Sequence, residues 1–307
     1  MKLNKILVFS EVNEALPELC SGANLLAEET VAVLLGSPTT AAEVAQYAPR
    51  VILMGEKAQG SMVEDYVPAL AELVEQQKPD LILIRATRRG KNIAGRLAVR
   101  TGAGVCSGAN AFEVTDAHTV ILSRVVYGGA AAAAVKAAAR TVALVGSGVF
   151  EAERLPAAGT VETLAAVPVP CGAVCTGVSR KEEESVDLGA AKRVVSAGRG
   201  VGSKENISIL QALAKKIGAE LACSRPVAEG EHWMPKNRYV GVSGAVIKPD
   251  VYIACGISGQ VQHLVGIKDA KTVIAINKDK NAPIFKNCDY GIVGDLNKVV
   301  PALTEKL

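Results

Sequence analysis

Short apolar runs alternate with amphipathic stretches along the first half of the chain. The apolar runs have the length and composition of buried strands at residues 5–9, 30–35, 51–54, 79–84, 118–127 and 141–145. Residues 63–74 carry apolar side chains at three- and four-residue spacing, and residues 88–98 form a turn that enters a second helical segment. Strands that alternate with helices in this way predict an α/β fold with a parallel sheet.

The same alternation resumes near residue 193. Strands are predicted at residues 193–197, 220–224, 251–255, 273–277 and 290–295. A helix is predicted after the first of them, with Ser203 as its N-cap and an apolar face formed by Ile207, Leu210, Leu213, Ala214 and Ile217. The second half therefore predicts a further α/β unit on an open parallel sheet.

Residues 156–187 differ in composition from both halves. Prolines at positions 156, 168 and 170 and the charged run 180–184 favour an exposed connection that can include an edge strand. A chain of 307 residues is long enough for two domains. We therefore expect two parallel-sheet, Rossmann-like domains of the α/β class, at residues 1–187 and 188–307.

The charge balance argues against a polyanionic partner. With 34 basic and 31 acidic residues and only 4% aromatics, the chain is not expected to bind nucleic acid. The basic cluster Arg85, Arg88, Arg89 and Lys91 is interpreted as a solvated turn or an interface. No apolar run approaches the roughly 20 residues of a membrane span, so membrane insertion is not expected. Residues 1–10 are interpreted as a first strand rather than a signal segment.

The seven cysteines are interpreted as reduced thiols. Their number is odd and a chain of this size does not need disulfides, which favours a cytoplasmic location. Cys171 and Cys175 are the only close pair, and their spacing is one residue longer than that of a redox Cys-x-x-Cys motif. Because no second cysteine or histidine pair completes a zinc site, no metal is expected.

Small and polar residues follow several of the predicted C-terminal strands. In an open parallel sheet these turns meet at one edge, where ligands bind. The run Gly198-Arg-Gly-Val-Gly202 lacks the spacing of a dinucleotide fingerprint, and Ser224-Arg225 stands where an NAD site needs an acid. A plain strand–turn–helix joint accounts for this run equally well, although Arg199 suits a phosphate or an adenine face.

The run Gly256-Ile-Ser-Gly-Gln-Val-Gln-His263 is more specific. Ser258 and Gly259 can open a helix whose free N–H groups face an anion. His263 then lies about one turn into that helix and can reach the same ligand. A lone histidine is more often structural than functional, but the neighbouring turn favours the functional interpretation here.

Three further polar residues have two interpretations each. Arg225 is either a surface arginine paired with Glu229 or Glu231, or a fixed positive charge beside a reduced, anionic cofactor ring. Asn277 is a turn residue or a ligand of ribityl or ribose hydroxyls, and Asp295 is a helix N-cap or such a ligand. No Ser/His/Asp, Cys/His or paired-carboxylate arrangement is legible, which favours a carrier over an enzyme that cleaves bonds.

A set of ordered motifs lies between residues 193 and 303. They are Ser196-Ala-Gly-Arg-Gly200, Cys223-Ser-Arg-Pro226, Tyr239-Val-Gly-Val-Ser-Gly244, Gly256-Ile-Ser-Gly-Gln-Val-Gln-His263, Ala275-Ile-Asn-Lys-Asp279, Ala282-Pro-Ile-Phe285 and Asp289-Tyr-Gly-Ile-Val-Gly-Asp295. Together they resemble the flavin-binding domain of electron transfer flavoprotein alpha subunits. Residues 202–206 and Trp233 are most similar to the bacterial FixB-type branch, which is linked to carnitine or acyl-CoA metabolism. The N-terminal half resembles the family more loosely, through residues 87–91 and 127–129.

The resemblance implies an electron carrier rather than an enzyme. It implies FAD in a doubly wound C-terminal domain, and a beta subunit that contacts the N-terminal domain. Electrons would pass from an acyl-CoA-type or carnitine-related dehydrogenase to a flavoprotein quinone oxidoreductase or a similar acceptor. Which donor and acceptor serve this chain, and whether the beta subunit holds AMP or a second flavin, is not legible in the sequence.

The resemblance also implies the residues that bind FAD. Arg199 would contact the adenine end, and Ser224 and Arg225 the flavin side. The isoalloxazine would be bordered by Val240, Gly241, Val242 and Ser243. The pyrophosphate, ribityl chain and ring would be held by Ser258, Gly259, Gln260, Val261, Gln262 and His263. The adenosine half would meet Asn277, Asp295 and Leu296.

Two departures from the family pattern concern the flavin. Val242-Ser243 replaces a frequent Gln-Thr pair, and Gln260-Val261 replaces a commoner Ala-Ile pair. Both changes bear on the reduction potential more than on FAD binding. Two other functions remain open: a flavin-dependent oxidoreductase with its own small substrate, and a nucleotide-binding module without a redox role.

Overall fold

A computed structural model describes residues 1–116, 118–127, 131–138, 140–178, 186 and 188–307 of the chain. Its contacts divide it into two units, whose main sequence boundary falls at residue 180. We refer to the described residues on either side as the N-terminal and C-terminal units. The predicted domain boundary at Asp187, the charged run 180–184 and the glycines of the 127–129 motif lie outside the described residues. The exact domain limits therefore stay a prediction.

The N-terminal unit is built on a mixed sheet that is parallel over most of its width. Its described strands are β1 (Leu3–Phe9), β2 (Ala27–Leu34), β3 (Arg50–Leu53), β4 (Leu81–Arg85), β5 (Gly104–Asp116), β6 (Thr119–Val126), β7 (Ala131–Ala138), β8 (Thr141–Val145) and β9 (Thr160–Thr163). They are ordered β7-β6-β5-β8-β4-β1-β2-β3-β9. Its described α-helices are α1 (Leu16–Leu26), α2 (Pro38–Val44), α3 (Val67–Gln77) and α4 (Arg88–Thr101).

The parallel part of this sheet confirms the predicted α/β alternation. Strand β9 pairs in parallel with β3 at the sheet edge, as the interpretation of residues 156–187 allowed. Strands β5, β6 and β7 add an antiparallel extension, which the sequence pattern does not predict. Strand β7 reads Ala-Ala-Ala-Ala-Val-Lys-Ala-Ala, a composition of high helix propensity, and it is a strand because it pairs with β6 along its whole length.

Successive side chains of the central strands enter two separate cores. On β1, Ile6 and Val8 pack in the cluster that contains Leu16 and Leu19 of α1. Leu7 and Phe9 belong to a second cluster, which includes α3 and α4. Helices on both faces bury the strands completely, which explains their continuous apolar runs.

The C-terminal unit is built on a parallel sheet of five described strands. They are β10 (Arg193–Ala197), β11 (Glu220–Cys223), β12 (Val251–Cys255), β13 (Thr272–Asn277) and β14 (Tyr290–Val293), in the order β11-β10-β12-β13-β14. Its α-helices are α5 (Ile207–Ile217), α6 (Val261–Leu264) and α7 (Leu296–Lys306). The chain leaves β10 toward β11 on one side and later returns to β12 on the other. The strand order therefore reverses between β10 and β12, where open α/β sheets bind ligands.

Helix α5 begins later than the sequence predicts. Its N-cap position is Asn206, not Ser203. Gly202 has a φ of +88°, and the turn that follows uses up the residues between Ser203 and Asn206. The Asn206 side chain donates to the Val201 carbonyl at 2.9 Å and closes this turn. The predicted apolar face packs as expected, with Ile207, Leu210, Leu213 and Ala214 buried against the sheet.

Two predictions about the chain as a whole concern membranes and cysteines. Among the described residues no helix has both the length and the apolarity to cross a membrane. All seven cysteines lie in the described residues and are free thiols. Burial raises the pKa of Cys20, Cys223 and Cys255 to about 12 each, so these thiols stay protonated at neutral pH.

Candidate cofactor-binding site

A cleft of about 1180 Å³ opens at the carboxyl edge of the C-terminal sheet. Its walls come from the segments that follow β10, β11, β12 and β13, on both sides of the point where the strand order reverses. Eleven of the residues that the sequence predicts for the site line it: Arg199, Ser224, Arg225, Val240, Val242, Ser243, Ser258, Gln260, Gln262, His263 and Asn277. These residues come from separate parts of the sequence, and the parallel sheet brings them together.

Five other predicted residues do not line the cleft. The Gly241 N–H donates to the Ala245 carbonyl at 3.0 Å, and Gly259 packs against the Ile284 backbone, from which a Cβ would lie 2.3 Å away. Val261, the first residue of α6, is half-exposed and does not line the cleft. Asp295 accepts a hydrogen bond from the Asn297 N–H at 2.9 Å, which is the N-cap role that the sequence left open. Leu296 is 6% exposed and packs in the core beside the sheet. Their proposed contacts with the adenosine half are therefore not visible in this geometry.

Glycines let the turns after β10 and β12 touch. Gly256 has a φ of +66°, and a Cβ there would lie 2.7 Å from the backbone of Gly200. The two turns are joined by a hydrogen bond from the Gly200 N–H to the Gly256 carbonyl at 3.0 Å. The glycines of the 198–202 run thus serve first as a close-packed joint, which was the plainer of the two interpretations. Gly200 and Gly256 also line the cleft floor.

The helix that follows the Gly256–Gln260 turn begins later than predicted and is short. It consists of α6, Val261–Leu264, and a 3₁₀ turn at Val265–Ile267. Its N-cap position is Gln260, without a side-chain cap. The expectation that Ser258 and Gly259 open the helix is therefore wrong by one or two residues. Ser258 is exposed and faces the cleft, so its hydroxyl is available to a ligand.

The loop at residues 239–245 forms one wall and is held at both ends. The Val240 N–H donates to Cys223 at the end of β11, at 3.0 Å, and the Val242 N–H donates to the Gln262 carbonyl at 2.9 Å. The Ser243 hydroxyl lies 2.5 Å from the hydroxyl of Tyr239. These anchors fix the position of Val242 and Ser243 before any ligand binds.

Arg225 forms an ion pair at the cleft rim. Its Nε donates to Glu229 Oε2 at 2.6 Å, and the arginine side chain is 65% exposed. The pairing with Glu229 is the plainer interpretation of Arg225, and both residues line the cleft. Glu229 raises the pKa of Arg225, and Arg225 lowers the pKa of Glu229. The guanidinium therefore stays charged, and its partner is one turn away on the same rim.

Asn277 clamps two turns together beneath the cleft. Its Nδ2 donates to the Ile257 carbonyl at 2.9 Å, and its Oδ1 accepts from the Asp279 N–H at 3.0 Å. The side chain is 9% exposed. Both interpretations of Asn277 are compatible with this geometry, because the amide shapes the turn and still borders the cleft.

His263 is a buried polar side chain in the wall of the site. It is 8% exposed, and its Nε2 lies 2.8 Å from the hydroxyl of Tyr252. Burial lowers the pKa of His263 to about 4, and the Val240 backbone, which approaches the ring, opposes this shift more weakly without giving Nδ1 a contact that meets the geometry of a hydrogen bond. Its Nδ1 is buried and has no hydrogen-bond partner in the part of the chain that the structure describes. A buried nitrogen without a partner is rare and marks a place for a ligand atom.

Half of the residues that line the cleft were not among the predicted FAD contacts, although most of them lie within the motifs quoted from the sequence. These are Gly200, Pro226, Gly230, Tyr239, Gly256, Ile257, Lys278, Asp279, Ala282 and Pro283, together with Glu229 in the partner role described above. Most flank a residue that was predicted, so the strand-end rule finds the segments but not every position. Tyr252 could not be found in this way, because it reads as an ordinary core residue of β12.

The residues fit a long, anionic, partly aromatic ligand. Basic side chains at Arg199, Arg225 and Lys278 outnumber the acidic Glu229 and Asp279 around the cleft. Ser258 and Gln260 offer exposed polar groups, and the free Nδ1 of His263 offers a buried one. A dinucleotide carries a pyrophosphate, hydroxyls and ring carbonyls that can use groups of each kind.

Comparison with known proteins decides which ligand this is. Residues 187–268 match the "Electron transfer flavoprotein FAD-binding domain", and residues 8–169 match the "Electron transfer flavoprotein domain". Protein FixB of Salmonella typhimurium is 44% identical over 310 residues, which cover 100% of this chain and 99% of that protein. Protein FixB of Escherichia coli O157:H7 is 44% identical over 308 residues, covering 99% and 98%. The chain belongs to the electron transfer flavoprotein alpha-subunit family, in its FixB-type branch.

Membership of the electron transfer flavoprotein family confirms several predictions. The α/β fold class and FAD as the cofactor are confirmed, and the family pairs its alpha subunits with a beta subunit. The FAD-domain match ends at residue 268, so Asn277, Asp295 and Leu296 lie beyond it. Most of the residues that line the cleft lie within the matched domain and one wall, residues 277–283, lies beyond it; the lining carries the unpartnered Nδ1, so its residues fit the cofactor that the family implies.

Proposed function

We propose that the cleft of the C-terminal unit holds FAD, and that the chain acts with a beta subunit as an electron carrier. The observation that carries this proposal is the convergence of eleven predicted residues on one cleft at the switch point of the sheet. The donor would be a dehydrogenase of acyl-CoA or carnitine metabolism. The acceptor would be a flavoprotein quinone oxidoreductase or a similar protein, and the complex would work in the cytoplasm.

The chain's own residues would bind and orient the cofactor. FAD supplies the one- and two-electron chemistry when it is bound. Arg199 and Lys278 supply positive charge to the pyrophosphate and adenine half, and Ser258 and Gln260 supply polar contacts. Val242 and Ser243 border the ring from the anchored 239–245 loop. Asp295 and Leu296 would support the adenosine half from behind, through the position of α7 rather than by direct contact.

Arg225 would act on the charge of the cofactor. A guanidinium at the rim stabilises negative charge that appears when a flavin ring is reduced. In the free chain this charge is shared with Glu229, at 2.6 Å. The effect of Arg225 on the reduction potential of the flavin would therefore depend on whether its guanidinium stays paired with Glu229 when the cofactor is bound.

The test is a spectrum of the chain purified together with its beta subunit. We expect a bound-flavin absorbance, with about one FAD for each copy of this chain, that bleaches during anaerobic titration with dithionite. With a metabolic substrate, the flavin should be reduced only when a partner dehydrogenase is added, because a carrier has no substrate of its own. A colourless complex that FAD does not reconstitute would leave a nucleotide-binding module. Turnover of a small substrate by the isolated complex would instead identify a flavin-dependent oxidoreductase.

A further inference from the structure

Tyr252 lies beneath His263 and has no part in the proposed contacts with FAD. It is the second residue of β12, is fully buried, and belongs to the core on one face of the sheet. Its hydroxyl lies 2.8 Å from His263 Nε2, and the two ring centroids are 6.1 Å apart with the planes inclined by 50°. The histidine is thus held edge-on by a phenol that no ligand can reach.

The direction of this hydrogen bond follows from the protonation of both rings. Burial raises the pKa of Tyr252 well above its ordinary value, so the phenol keeps its proton. Burial lowers the pKa of His263 to about 4, so the imidazole is neutral at neutral pH. A neutral imidazole has one N–H donor and one bare acceptor nitrogen. The Tyr252 hydroxyl therefore either donates to a bare Nε2 or accepts a hydrogen bond from a protonated Nε2.

The surroundings of the phenol favour an acceptor Nε2. If Nε2 carried the proton, the Tyr252 hydroxyl would need another acceptor for its own hydrogen. The candidate is Ser196 Oγ on the neighbouring strand β10. Ser196 lowers the pKa of Tyr252, but its hydroxyl has no contact that meets the geometry of a hydrogen bond. Donation from the phenol to Nε2 satisfies both groups at once, at 2.8 Å. The imidazole proton is then on Nδ1.

We propose that Tyr252 is a positioning residue that holds His263 in its Nδ1–H tautomer, so that the imidazole offers the cofactor a donor. Nδ1 is the one ring nitrogen that has no partner among the described residues, and the side chain lines the cleft. Any hydrogen bond between the His263 ring and a ligand would therefore be made through Nδ1. The natural acceptors are the carbonyl and phosphate oxygens of FAD, so this part of the inference rests on the proposed function.

The tautomer can be measured directly in the full chain. The chain has three histidines, and the other two, His118 and His232, are exposed. Long-range ¹H–¹⁵N correlation spectra of protein labelled in histidine distinguish a protonated from a bare ring nitrogen. His118→Asn and His232→Asn assign the signals. We expect His263 to show a protonated Nδ1 and a bare Nε2 at pH 7. A protonated Nε2 in the unmodified chain would overturn the proposal, whatever any variant does.

Tyr252→Phe tests the cause of the preference. Loss of the phenol should give a mixture of tautomers at His263, and should weaken FAD binding to the complex by about 3- to 10-fold. The matched control is Tyr66→Phe, which removes another buried hydroxyl, one that accepts from the Ala58 N–H at 2.8 Å in the N-terminal unit. It should change neither quantity. An unchanged tautomer in Tyr252→Phe would show that Tyr252 does not fix it.

The two proposals fail in different ways. If the complex takes up no flavin, the proposed function fails, and the tautomer of the free chain still reports on Tyr252. If flavin binds but Tyr252→Phe leaves both its affinity and its reduction potentials unchanged, the donor role of His263 toward the cofactor is wrong. A structural role alone would lower the stability of the variant and leave the ratio of tautomers unchanged.

Discussion

Both sheets of this protein reverse their strand order, and the two reversal points carry different side chains. In the N-terminal unit the reversal lies between β1 and β4, and Arg85 at the end of β4 bridges it. Arg85 Nη2 donates to Glu18 Oε2 and its Nη1 to the Gly146 carbonyl, each at 2.5 Å. In the C-terminal unit, glycines and serines at the same place border a cleft of about 1180 Å³.

The difference shows that topology offers a site and side chains decide its use. At the N-terminal reversal most of the charged groups are paired: Glu18 Oε1 also accepts the Val149 N–H at 3.0 Å, and Thr87 donates to Glu11 Oε1, although the second oxygen, Glu11 Oε2, is buried without a partner among the described residues. At the C-terminal reversal Ser258 and Gln260 are exposed in the cleft, and the buried His263 Nδ1 has no partner among the described residues. Charges that are paired with each other cannot be separated without a large loss of stability, whereas an unpaired polar group at a strand edge is available to a ligand.

Closing the C-terminal reversal should have the largest effect. A Cβ in Gly256→Ala would meet the Gly200 backbone at 2.7 Å, and its φ of +66° is unfavourable for alanine. We expect the C-terminal unit to lose about 3 kcal/mol or more of stability, and FAD affinity to fall by roughly 100-fold. Urea unfolding followed by the fluorescence of Trp233, the single tryptophan, measures the first quantity. Flavin titration measures the second.

Gly230→Ala is the matched control for that variant. Gly230 lines the same cleft, but a Cβ there has open space and its φ is not positive. Stability should change by less than about 0.5 kcal/mol. If Gly256→Ala behaved like Gly230→Ala, the close-packed joint would not be what keeps the cleft in shape.

Breaking the N-terminal ion pair should come next in size. Arg85 and Glu18 have side chains that are 10% and 15% exposed, so Arg85→Ala leaves a carboxylate in a poorly solvated position. The expected loss is about 3 kcal/mol, in the N-terminal unit. Hydrogen exchange of peptides from β1 and β4, read by mass spectrometry, localises it. Arg88→Ala removes an exposed neighbour and should leave exchange unchanged. Equal exchange in both variants would contradict the structural role of Arg85.

This ion pair also marks a limit of the sequence analysis. Arg85 was grouped with Arg88, Arg89 and Lys91 as part of a solvated turn or an interface, and the solvated turn is wrong for Arg85, which is 8% exposed. Its partner Glu18 lies 67 residues away, on α1. Local patterns report which residues are apolar and at what period, but not which distant charges the fold brings together.

The C-terminal unit was easier to predict for a physical reason. Its strands β10 and β12 are short and mostly buried, and small or polar turns follow them closely, so both have the predicted bounds. Because parallel strands end at one edge, the turns after them assemble into one site. The pairs within the site were not visible, since neither the Tyr252–His263 contact nor the Gly200–Gly256 joint follows a local period.

The buried histidine should make the stability of the C-terminal unit depend on pH. Its pKa falls from an ordinary 6.5 to about 4 on folding, so between these values the unfolded chain binds more protons. Stability is therefore lost as the pH falls from about 7 toward 4. At pH 5 the loss from His263 should be about 2 kcal/mol. His263→Gln should flatten the pH dependence of Trp233-detected unfolding by that amount.

His118 supplies an internal contrast to that prediction. Its pKa is raised by the hydrogen bond to Asp80, so it stabilises the fold at low pH, and this contribution is lost as the pH rises. His118→Asn should therefore steepen the loss of stability on acidification, and in the N-terminal unit only. An unchanged pH dependence in His263→Gln would mean that His263 is not buried as the neutral form, and flattening by His118→Asn would contradict the raised pKa of His118.

The smallest effect on stability, and the most informative one for function, is expected at the cleft rim. Arg225→Ala should leave the unfolding curve unchanged, because its pair with Glu229 is exposed. The reduction potentials of bound FAD should become more negative by tens of millivolts, since a positive charge beside the reduced ring is lost. Glu229→Gln should shift them the other way, because it frees Arg225. Lys236→Ala is the control, as Lys236 lies 3.9 Å from Glu229 but outside the cleft. If the Arg225 and Glu229 variants shift the potentials in the same direction, the rim pair does not tune the flavin.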